Sequence, residues 1–512
     1  MKINTQQFVL ALAAGVTLSA CTSDVEVEAE VLVTPELQTQ TQTQTQAQTQ
    51  AQTQAQTQAQ LQTQKWVSTM TISSDCGVVP QLNPPGANGR NIRPPREPVE
   101  TDWERVQPGY VLLEPTGEKD SYLLGVDKEV VASYSGDYYP KYTQLLPNGH
   151  RLYSSKATTV AIHNGGGSTT GCLEEYDANG DLVWRVSLNN DYILSHHAVR
   201  KMPNGNVLAQ VWQKSSADIA VAQGRDPATL PEEGGFWFDA IVEIDPIGME
   251  VVWEWNVRNH LVQDFDPTKA NYGVVADNPG LMDINLFDVE DGMIHPDWVH
   301  SNAIDYHPEL DQIAISFRGL NEIVVIDHST TPREAEGHSG GRYGKGGDFL
   351  YRWGNPENYG RGTPDDRELY NQHDVQWIRD GLPGAGNFLI FNNGHPDFRS
   401  YTTIVEIAPE RNSDGSYVLE NGEPYGPVEM VWEYNPPEEE QFFSSFISGV
   451  QRMPNGNTFI NAGAIGMQRE VTVSGDIVWE YEYRNENNAP DFFFRAEKYT
   501  PDYPGLEGLI SN

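Results

Sequence analysis

Two short phrases recur along the chain, and they constrain its fold more than any other feature. The first is a turn followed by alternating apolar residues, as in LLPNGHRLY from Leu145, RKMPNGNVLAQ from Arg200 and QRMPNGNTFINAG from Gln451. Variants of it are YHPELDQIAIS from Tyr306 and RDGLPGAGNFLIF from Arg379. A turn between β-rich runs of alternating hydrophobicity predicts a β-hairpin. Each occurrence therefore marks the start of one hairpin.

The second phrase ends each unit with a strand that contains tryptophan. Its forms are DANGDLVWRV, DPIGMEVVWEW, GDFLYRWG, VEMVWEY and SGDIVWEYEY, with Trp184, Trp253, Trp353, Trp432 and Trp479. A hairpin and a closing strand, repeated with insertions, are typical of propeller blades. We expect the tryptophans to pack between blades.

Five such units are visible, and a sixth is expected to be composite. It would join Tyr110 to Tyr134 with the C-terminal FFFRAEKY segment and so close the ring. Long amphipathic helical patterns are nearly absent. The predicted fold class is therefore all-β, a six-bladed β-propeller that spans residues 109–512.

The N-terminus has the pattern of a bacterial lipoprotein signal. Lys2 is followed by an apolar run from Phe8 to Leu18 and by the small-residue sequence LSAC, which ends at Cys21. This predicts a signal peptide over residues 1–20 and lipidation of Cys21. The apolar run is shorter than the roughly 20 residues of a membrane span. The mature protein would be anchored to a membrane of the bacterial cell envelope. Position 22 holds Thr instead of the Asp that favours retention in the inner membrane, so the outer membrane is favoured.

Two segments separate this anchor from the propeller. Residues 21–64 comprise the anchor and a run of Gln, Thr and Ala, which cannot bury a core and is expected to be a disordered tether. Residues 65–108 form an N-terminal extension. Cys76 and Cys172 are the two cysteines left after Cys21, and an exported setting favours a disulfide between them over two free thiols.

The formal net charge of −39 excludes nucleic acid as a partner, because a polyanion would be repelled. A small anionic substrate would need a local basic pocket. Histidine opens several units in one frame, in HAVRKM from His197 and HDVQWI from His373, and His300 in HSNAI fits more loosely. Equivalent positions of propeller blades converge near the axis. With Arg318, these imidazoles would suit a compact oxyanion such as sulfate.

Several segments together resemble the bacterial aryl-sulfate sulfotransferases, the PAPS-independent arylsulfotransferase (ASST) family. The segments are HHAVRKMPNGN, HSNAIDYHPELDQIAISFRGLNEIVVID, NQHDVQWI, FLIFNNGHPDFRS and FRAEKYTPDYPGL. The resemblance implies a six-bladed propeller with its active site at the central channel. It also implies transfer of a sulfuryl group from an aryl sulfate donor to a phenolic acceptor through a sulfated histidine. Neither a metal nor a cofactor is required for that chemistry.

The resemblance also implies roles for individual residues. His373 would be the nucleophile that is transiently sulfated, and His300 and Arg318 would bind the sulfuryl oxygens. His197 would act as acid/base or as an oxygen ligand, with the adjacent His196 as a substitute. Arg399 is a further candidate for substrate binding, although a surface ion pair explains it equally well.

Two other functions stay open at this point. Water could be the better acceptor, which would make the protein an aryl sulfate hydrolase. Alternatively, the chain could be a non-catalytic, membrane-anchored propeller that serves as a scaffold. The natural donor and acceptor and the oligomeric state are left open by the sequence.

Overall fold

The computed structural model describes residues 72–77, 91–93, 99–156, 169–232, 235–287, 294–485 and 491–510. All of them belong to one compact unit, Thr71–Asn512. The predicted signal peptide, Cys21 and the tether to residue 64 lie outside the described residues. Within the described ranges, no helix combines the length and apolarity needed to cross a bilayer.

Six four-stranded antiparallel sheets make up the fold, and we number the blades from the first complete one. Three strands near the N-terminus begin the closing blade: β1 (Tyr110–Leu113), β2 (Asp120–Gly125) and β3 (Val130–Ser135). Blade 1 consists of β4 (Tyr139–Leu145), β5 (Arg151–Lys156), β6 (Gly171–Tyr176) and β7 (Leu182–Ser187). Blade 2 consists of β8 (Ile193–Lys201), β9 (Val207–Ser216), β10 (Gly235–Asp245) and β11 (Glu250–Asn256).

The later blades repeat this order after a short parallel pair, β12 (Leu261–Val262) and β13 (Met282–Asp283). Blade 3 consists of β14 (Ser301–His307), β15 (Gln312–Phe317), β16 (Glu322–Asp327) and β17 (Tyr351–Trp353). Blade 4 consists of β18 (His373–Trp377), β19 (Phe388–Asn392), β20 (Thr403–Ile407) and β21 (Trp432–Tyr434). Blade 5 consists of β22 (Gly449–Arg452), β23 (Thr458–Ala462), β24 (Met467–Val471) and β25 (Ile477–Glu482), and β26 (Ala496–Tyr499) follows.

Helical elements are short and lie in the connections between strands. Helix α1 (Ala217–Ala222) follows β9, and α2 (Pro332–Ala335) follows β16. The 3-10 turns are Pro227–Thr229, Val257–Asn259, Val275–Asp277, Arg318–Leu320, Pro356–Tyr359, Pro364–Asp366, Glu438–Glu440, Gly463–Ile465 and Pro504–Leu506.

The ring is closed by pairing the two ends of the propeller. Strand β26 lies antiparallel to β1, with Tyr499 opposite Tyr110 and Ala496 opposite Leu113. The composite sixth blade predicted from the sequence is thus confirmed, and so is the all-β six-bladed architecture. In this arrangement β4, β8, β14, β18, β22 and β26 each lie at one edge of their own sheet.

The core is a series of layers between neighbouring blades. Strand β15 shows how one strand serves two layers: Ile313 and Ile315 pack in the layer shared with blade 2, and Ala314 packs in the layer shared with blade 4. This follows from the alternation of side chains across a strand. Both faces of a blade are therefore apolar.

The closing tryptophans bond one blade to the next, as predicted. Four indole N–H groups donate to the following blade: Trp253 to Thr330 Oγ1 at 3.2 Å, Trp353 to Pro427 O at 2.9 Å, Trp432 to Val473 O at 2.8 Å and Trp479 to Val126 O at 2.9 Å. Trp184 differs, because it donates to Glu175 in its own blade while the Lys201 ammonium of blade 2 lies 5.4 Å from its ring.

The described part of the N-terminal extension lies against the propeller. The structure joins Cys76 to Cys172 of β6 in a disulfide, with an S–S distance of 2.04 Å. Close by, the Ser187 N–H donates to Ser73 O at 2.7 Å. The extension is therefore attached to blade 1 both covalently and through the backbone.

Replacing Trp479 by Phe should destabilise the protein by about 1–3 kcal/mol, because the Val126 carbonyl loses its donor in a buried layer. Trp479 is completely buried. Trp103, which is 64% exposed, gives the matched control, and Trp103→Phe should change stability by no more than about 0.5 kcal/mol. Chemical denaturation measures both effects. Equal shifts in the two variants would contradict the proposed role of the indole N–H.

Candidate active site

Three successive blades each place a histidine within or directly before their first strand. His197 lies in β8, His300 immediately precedes β14, and His373 begins β18. Strand β14 contacts both β8 and β18, so the three strands are direct neighbours. The shared frame predicted from the sequence therefore brings histidines from blades 2, 3 and 4 to one region.

The backbone is unusual at these positions. His197 has a φ of 53°, His300 of 47°, and Asp374, which follows His373, of 52°. Each first strand also changes register against its partner at this point. A left-handed residue other than glycine is uncommon, and a bulge redirects the side chains around it. This local distortion recurs in all three blades and accompanies the histidines.

His197 and His300 form an edge-to-face pair. Their ring centroids are 4.9 Å apart with an interplanar angle of 75°, and Phe494 lies 5.6 Å from the His197 ring. Burial, and next the charge of His300, lower the pKa of His197 well below its ordinary value. His197 is therefore neutral at pH 7. The His300 side chain is 26% exposed, which leaves this side of the pair open to solvent.

His373 is buried, and its hydrogen bonds define one tautomer. Its Nδ1 lies 2.8 Å from Asn393 Oδ1 and 3.0 Å from Asn371 O, and both oxygens accept. Nδ1 must therefore carry the proton and Nε2 the lone pair. In agreement, the Ile447 N–H donates to His373 Nε2 at 3.1 Å. Burial, and next the charge of Arg318, lower the pKa of His373 well below its ordinary value, so the ring is neutral.

Arg318 begins the 3-10 turn after β15, and its backbone N–H donates to the backbone oxygen of His300 at 3.0 Å. This bond continues the β14–β15 hairpin and holds the backbones of the two residues together. The charge of Arg318 lowers the pKa of both His197 and His373. The structure therefore brings together the four residues assigned to catalysis by the resemblance.

His196 lies behind this group and is completely buried. It stacks on Trp212, with centroids 3.9 Å apart and planes 11° apart, and its Nδ1 lies 2.8 Å from Nδ1 of His197. Its Nε2 lies 3.5 Å from Asp239 Oδ1. His196 thus supports His197 from within the protein.

Arg399 contacts residues in and next to blade 4. Its guanidinium donates to Thr403 Oγ1 at 3.1 Å and to Asn392 O at 3.2 Å, and it packs near the rings of Tyr370 and Tyr401. Among the described residues, these partners do not include a member of the histidine group. Its surroundings are those of a residue that holds blade 4 together.

Sequence reasoning missed two carboxyl or amide partners of the histidines. Asp297 Oδ2 lies 2.6 Å from His300 Nδ1. Asn393 not only accepts from His373 but also donates to Ser444 O at 2.7 Å and to Ile447 O at 3.1 Å. Both residues adjoin or lie within segments that carried the family resemblance, yet only the fold shows which atoms they face.

Further along the first strands, charged groups surround a cavity of about 150 Å³. Arg495 pairs with Asp374 at 3.0 Å, and Arg200 lies 3.4 Å from Asp305 and 3.6 Å from Glu497. These ion pairs join strands of four blades. Asp374 adjoins His373, so the network also fixes the backbone next to that histidine.

The site can therefore hold a compact anion. A guanidinium beside neutral imidazoles supplies donors for a tetrahedral oxyanion, and its positive charge opposes a metal cation. One imidazole keeps a nitrogen lone pair in a water-poor environment. These properties make the histidine group, in a six-bladed propeller, the candidate active site.

Comparison with known families agrees with this class of site. The model of the family Arylsulfotransferase (ASST) matches residues 98–503, which is more than half of the chain. The chain belongs to this family, and membership implies aryl sulfotransferase activity. No curated protein sequence matches the chain.

Three of the similar solved structures resemble the chain at low sequence identity. A protein of unknown function from Bacteroides caccae has a TM-score of 0.40 and 12% identity, covering 76% of this chain and 98% of its own. A streptogramin B lyase has a TM-score of 0.36 and 9% identity, covering 79% and 87%. The virginiamycin B lyase from Staphylococcus aureus has a TM-score of 0.35 and 10% identity, covering 75% and 86%. We draw no functional conclusion from them.

Proposed function

We propose that the protein transfers a sulfuryl group from an aryl sulfate to a phenol through a sulfated His373, without PAPS. The observation that supports this most directly is the state of His373. Its Nδ1 proton is held by Asn393, which leaves the lone pair on Nε2. Burial and Arg318 keep the ring neutral at pH 7. A neutral imidazole with a fixed tautomer is a competent nucleophile.

In the first step, Nε2 of His373 attacks the sulfur atom, and the bond from sulfur to the phenolic oxygen breaks. The Ile447 N–H must first release Nε2, because it donates to the attacking lone pair in this structure. Once released, it can donate to a sulfuryl oxygen. Arg318 and His197 would stabilise the other oxygens, as donors do in phosphoryl transfer.

Proton transfer is assigned to His300. Asp297 orients its ring through Nδ1 at 2.6 Å, and the ring is partly open to solvent. An imidazole held in this way by a carboxylate can give a proton to the departing phenolate and take one from the incoming phenol.

In the second step, the phenol oxygen attacks sulfur, the N–S bond breaks and His373 returns to its neutral form. This changes one role implied by the resemblance, because His300 takes the acid/base role, while His197 keeps the oxygen contact that was one of its two alternatives.

We further propose that Cys21 carries a lipid and anchors the protein in the bacterial cell envelope, with the outer membrane favoured. The LSAC sequence and the Gln-rich tether support this proposal. Aryl sulfates and phenols of that compartment would then reach the propeller without entering the cytoplasm.

Replacing His373 by Asn should reduce nitrophenol release from p-nitrophenyl sulfate by at least about 1,000-fold, because the covalent route is lost. In the unchanged protein, release should depend on added phenol. The control is His307→Asn, the same substitution at a half-buried histidine at the end of β14. Full activity of His373→Asn would contradict the assignment of the nucleophile. Nitrophenol release that does not depend on added phenol would indicate a hydrolase.

Two replacements of Asn393 separate positioning of His373 from simple packing. In Asn393→Asp, a carboxylate would face Nδ1 and favour the imidazolium, which raises the pKa of His373. Transfer should then fall as the pH is lowered from about 8 to about 6, across the ordinary histidine pKa. In the unchanged protein His373 stays neutral over this range, so its protonation should cause no such loss.

Asn393→Ala gives the matched comparison. It removes the acceptor without adding charge, so transfer should be slower at every pH and should show no new acidic limb. The pH dependence of kcat/KM measures the difference. Identical profiles for the Asp and Ala variants would contradict the role given to Asn393.

A further inference from the structure

A second group of histidines lies between blades 2 and 3, outside the proposed active site. His260 follows the 3-10 turn Val257–Asn259 at the end of blade 2, and His338 and Asp348 belong to the connection from β16 to β17 of blade 3. His260 Nδ1 lies 2.9 Å from Asp348 Oδ1, and His338 Nδ1 lies 2.8 Å from the same oxygen. One ligand atom from each of the three residues falls within 4.8 Å of the other two.

The surroundings hold the His260 ring in place. It is completely buried and stacks on Trp255, with an interplanar angle of 3°. Its Nε2 lies 2.9 Å from Ala335 O, and the backbone of Gly347 packs so closely that a Cβ there would come within 2.5 Å of Nε2. The position and direction of Nδ1 are therefore fixed by the fold.

The hydrogen-bond partners of His260 require a cation next to its Nδ1 atom. A carbonyl oxygen only accepts, so Nε2 carries a proton, and a neutral ring then has its lone pair on Nδ1. That lone pair faces an ionised carboxylate, which also only accepts. A cation, either a second proton or a metal ion, must lie between the two atoms.

We propose that His260, His338 and Asp348 bind one divalent transition-metal ion, of which zinc is the best representative. Two imidazole nitrogens and a carboxylate oxygen are a usual ligand set for zinc, and a ligating histidine usually donates its other N–H to a carbonyl, as His260 does to Ala335. A tetrahedral zinc ion places its ligand atoms about 3.3 Å apart. The two histidine–aspartate distances, 2.9 and 2.8 Å, need to widen by about half an ångström to reach that spacing, and the two imidazole nitrogens already lie within 4.8 Å of each other.

The remaining position would be filled by water. The His338 side chain is 60% exposed, so the group opens to solvent and His338 can adjust its position. A bound ion would connect blade 2 to the β16–β17 connection of blade 3. The site would therefore stabilise the fold and is independent of the proposed transfer reaction.

His328 provides a useful contrast. Its Nδ1 lies 2.7 Å from Asp311 and its Nε2 lies 2.9 Å from Glu243, so each nitrogen has its own carboxylate. An imidazolium can donate a hydrogen bond to each of the two carboxylates. Burial lowers the pKa of His328, but the two carboxylates raise it more, to about 9. In the proposed metal site, two rings instead share one oxygen.

Zinc binding to the full-length protein, purified without a polyhistidine tag and treated with a chelator, tests the proposal. Competition with a chromophoric chelator should show one zinc ion per chain that is bound through these residues, and the thermal midpoint should rise with zinc concentration. His338→Ala should weaken binding at least as much as the about 10- to 100-fold loss typical of outer-shell partners. Because His338 is exposed, this variant should fold normally.

His150→Ala is the matched control, since His150 pairs with one carboxylate, Glu175, at 2.7 Å and has no second imidazole in that pair. It should bind zinc as the unchanged protein does. Substitution with Co²⁺ should give visible absorption of a tetrahedral site that His338→Ala lacks. Equal zinc affinity in the unchanged protein and His338→Ala, or less than one ion per chain, would overturn the proposal.

Discussion

The left-handed backbone at the start of the first strands is the constraint on which the site depends. His197 and His300 both have positive φ values, and Asp374 does so next to His373. Such conformations cost about 1–3 kcal/mol each and persist only where the surrounding structure enforces them. Here the packed layers between blades and the closure of β26 against β1 supply that enforcement. The strained positions coincide with register shifts that redirect the side chains around the three histidines.

Electrostatics complete the site that the backbone positions. The chain carries a formal charge of −39, yet a guanidinium and several imidazoles meet in its interior. Burial next to Arg318 keeps His197 and His373 neutral, which preserves a lone pair for nucleophilic attack. Along the same strands, acidic groups neutralise Arg200 and Arg495 and tie the blades together. Arg318 therefore supplies positive charge beside His373, where an anionic donor would bind.

Much of the fold could be predicted because its signals are local. Each hairpin phrase contains its own turn and alternation, and Trp253 and Trp479 occupy the closing strands that their phrases predicted. The resemblance located the histidines and Arg318 for the same reason, since they lie in continuous motifs. Asp297 and Asn393 were missed because their roles depend on strand register and on which atoms meet. The contact between Ile447 and His373 joins two blades, and no short motif encodes it.

The proposed transfer requires that His373 carries the sulfuryl group between donor and acceptor. The most direct measurement is rapid mixing of the protein with an aryl sulfate in the absence of phenol, followed by alkaline quenching and mass spectrometry of peptides. If His373 is the nucleophile, the peptide that contains it gains one SO₃ group, and this group is lost when phenol is added before quenching. Turnover without any adduct, or an adduct on another residue that disappears at the rate of turnover, would contradict it.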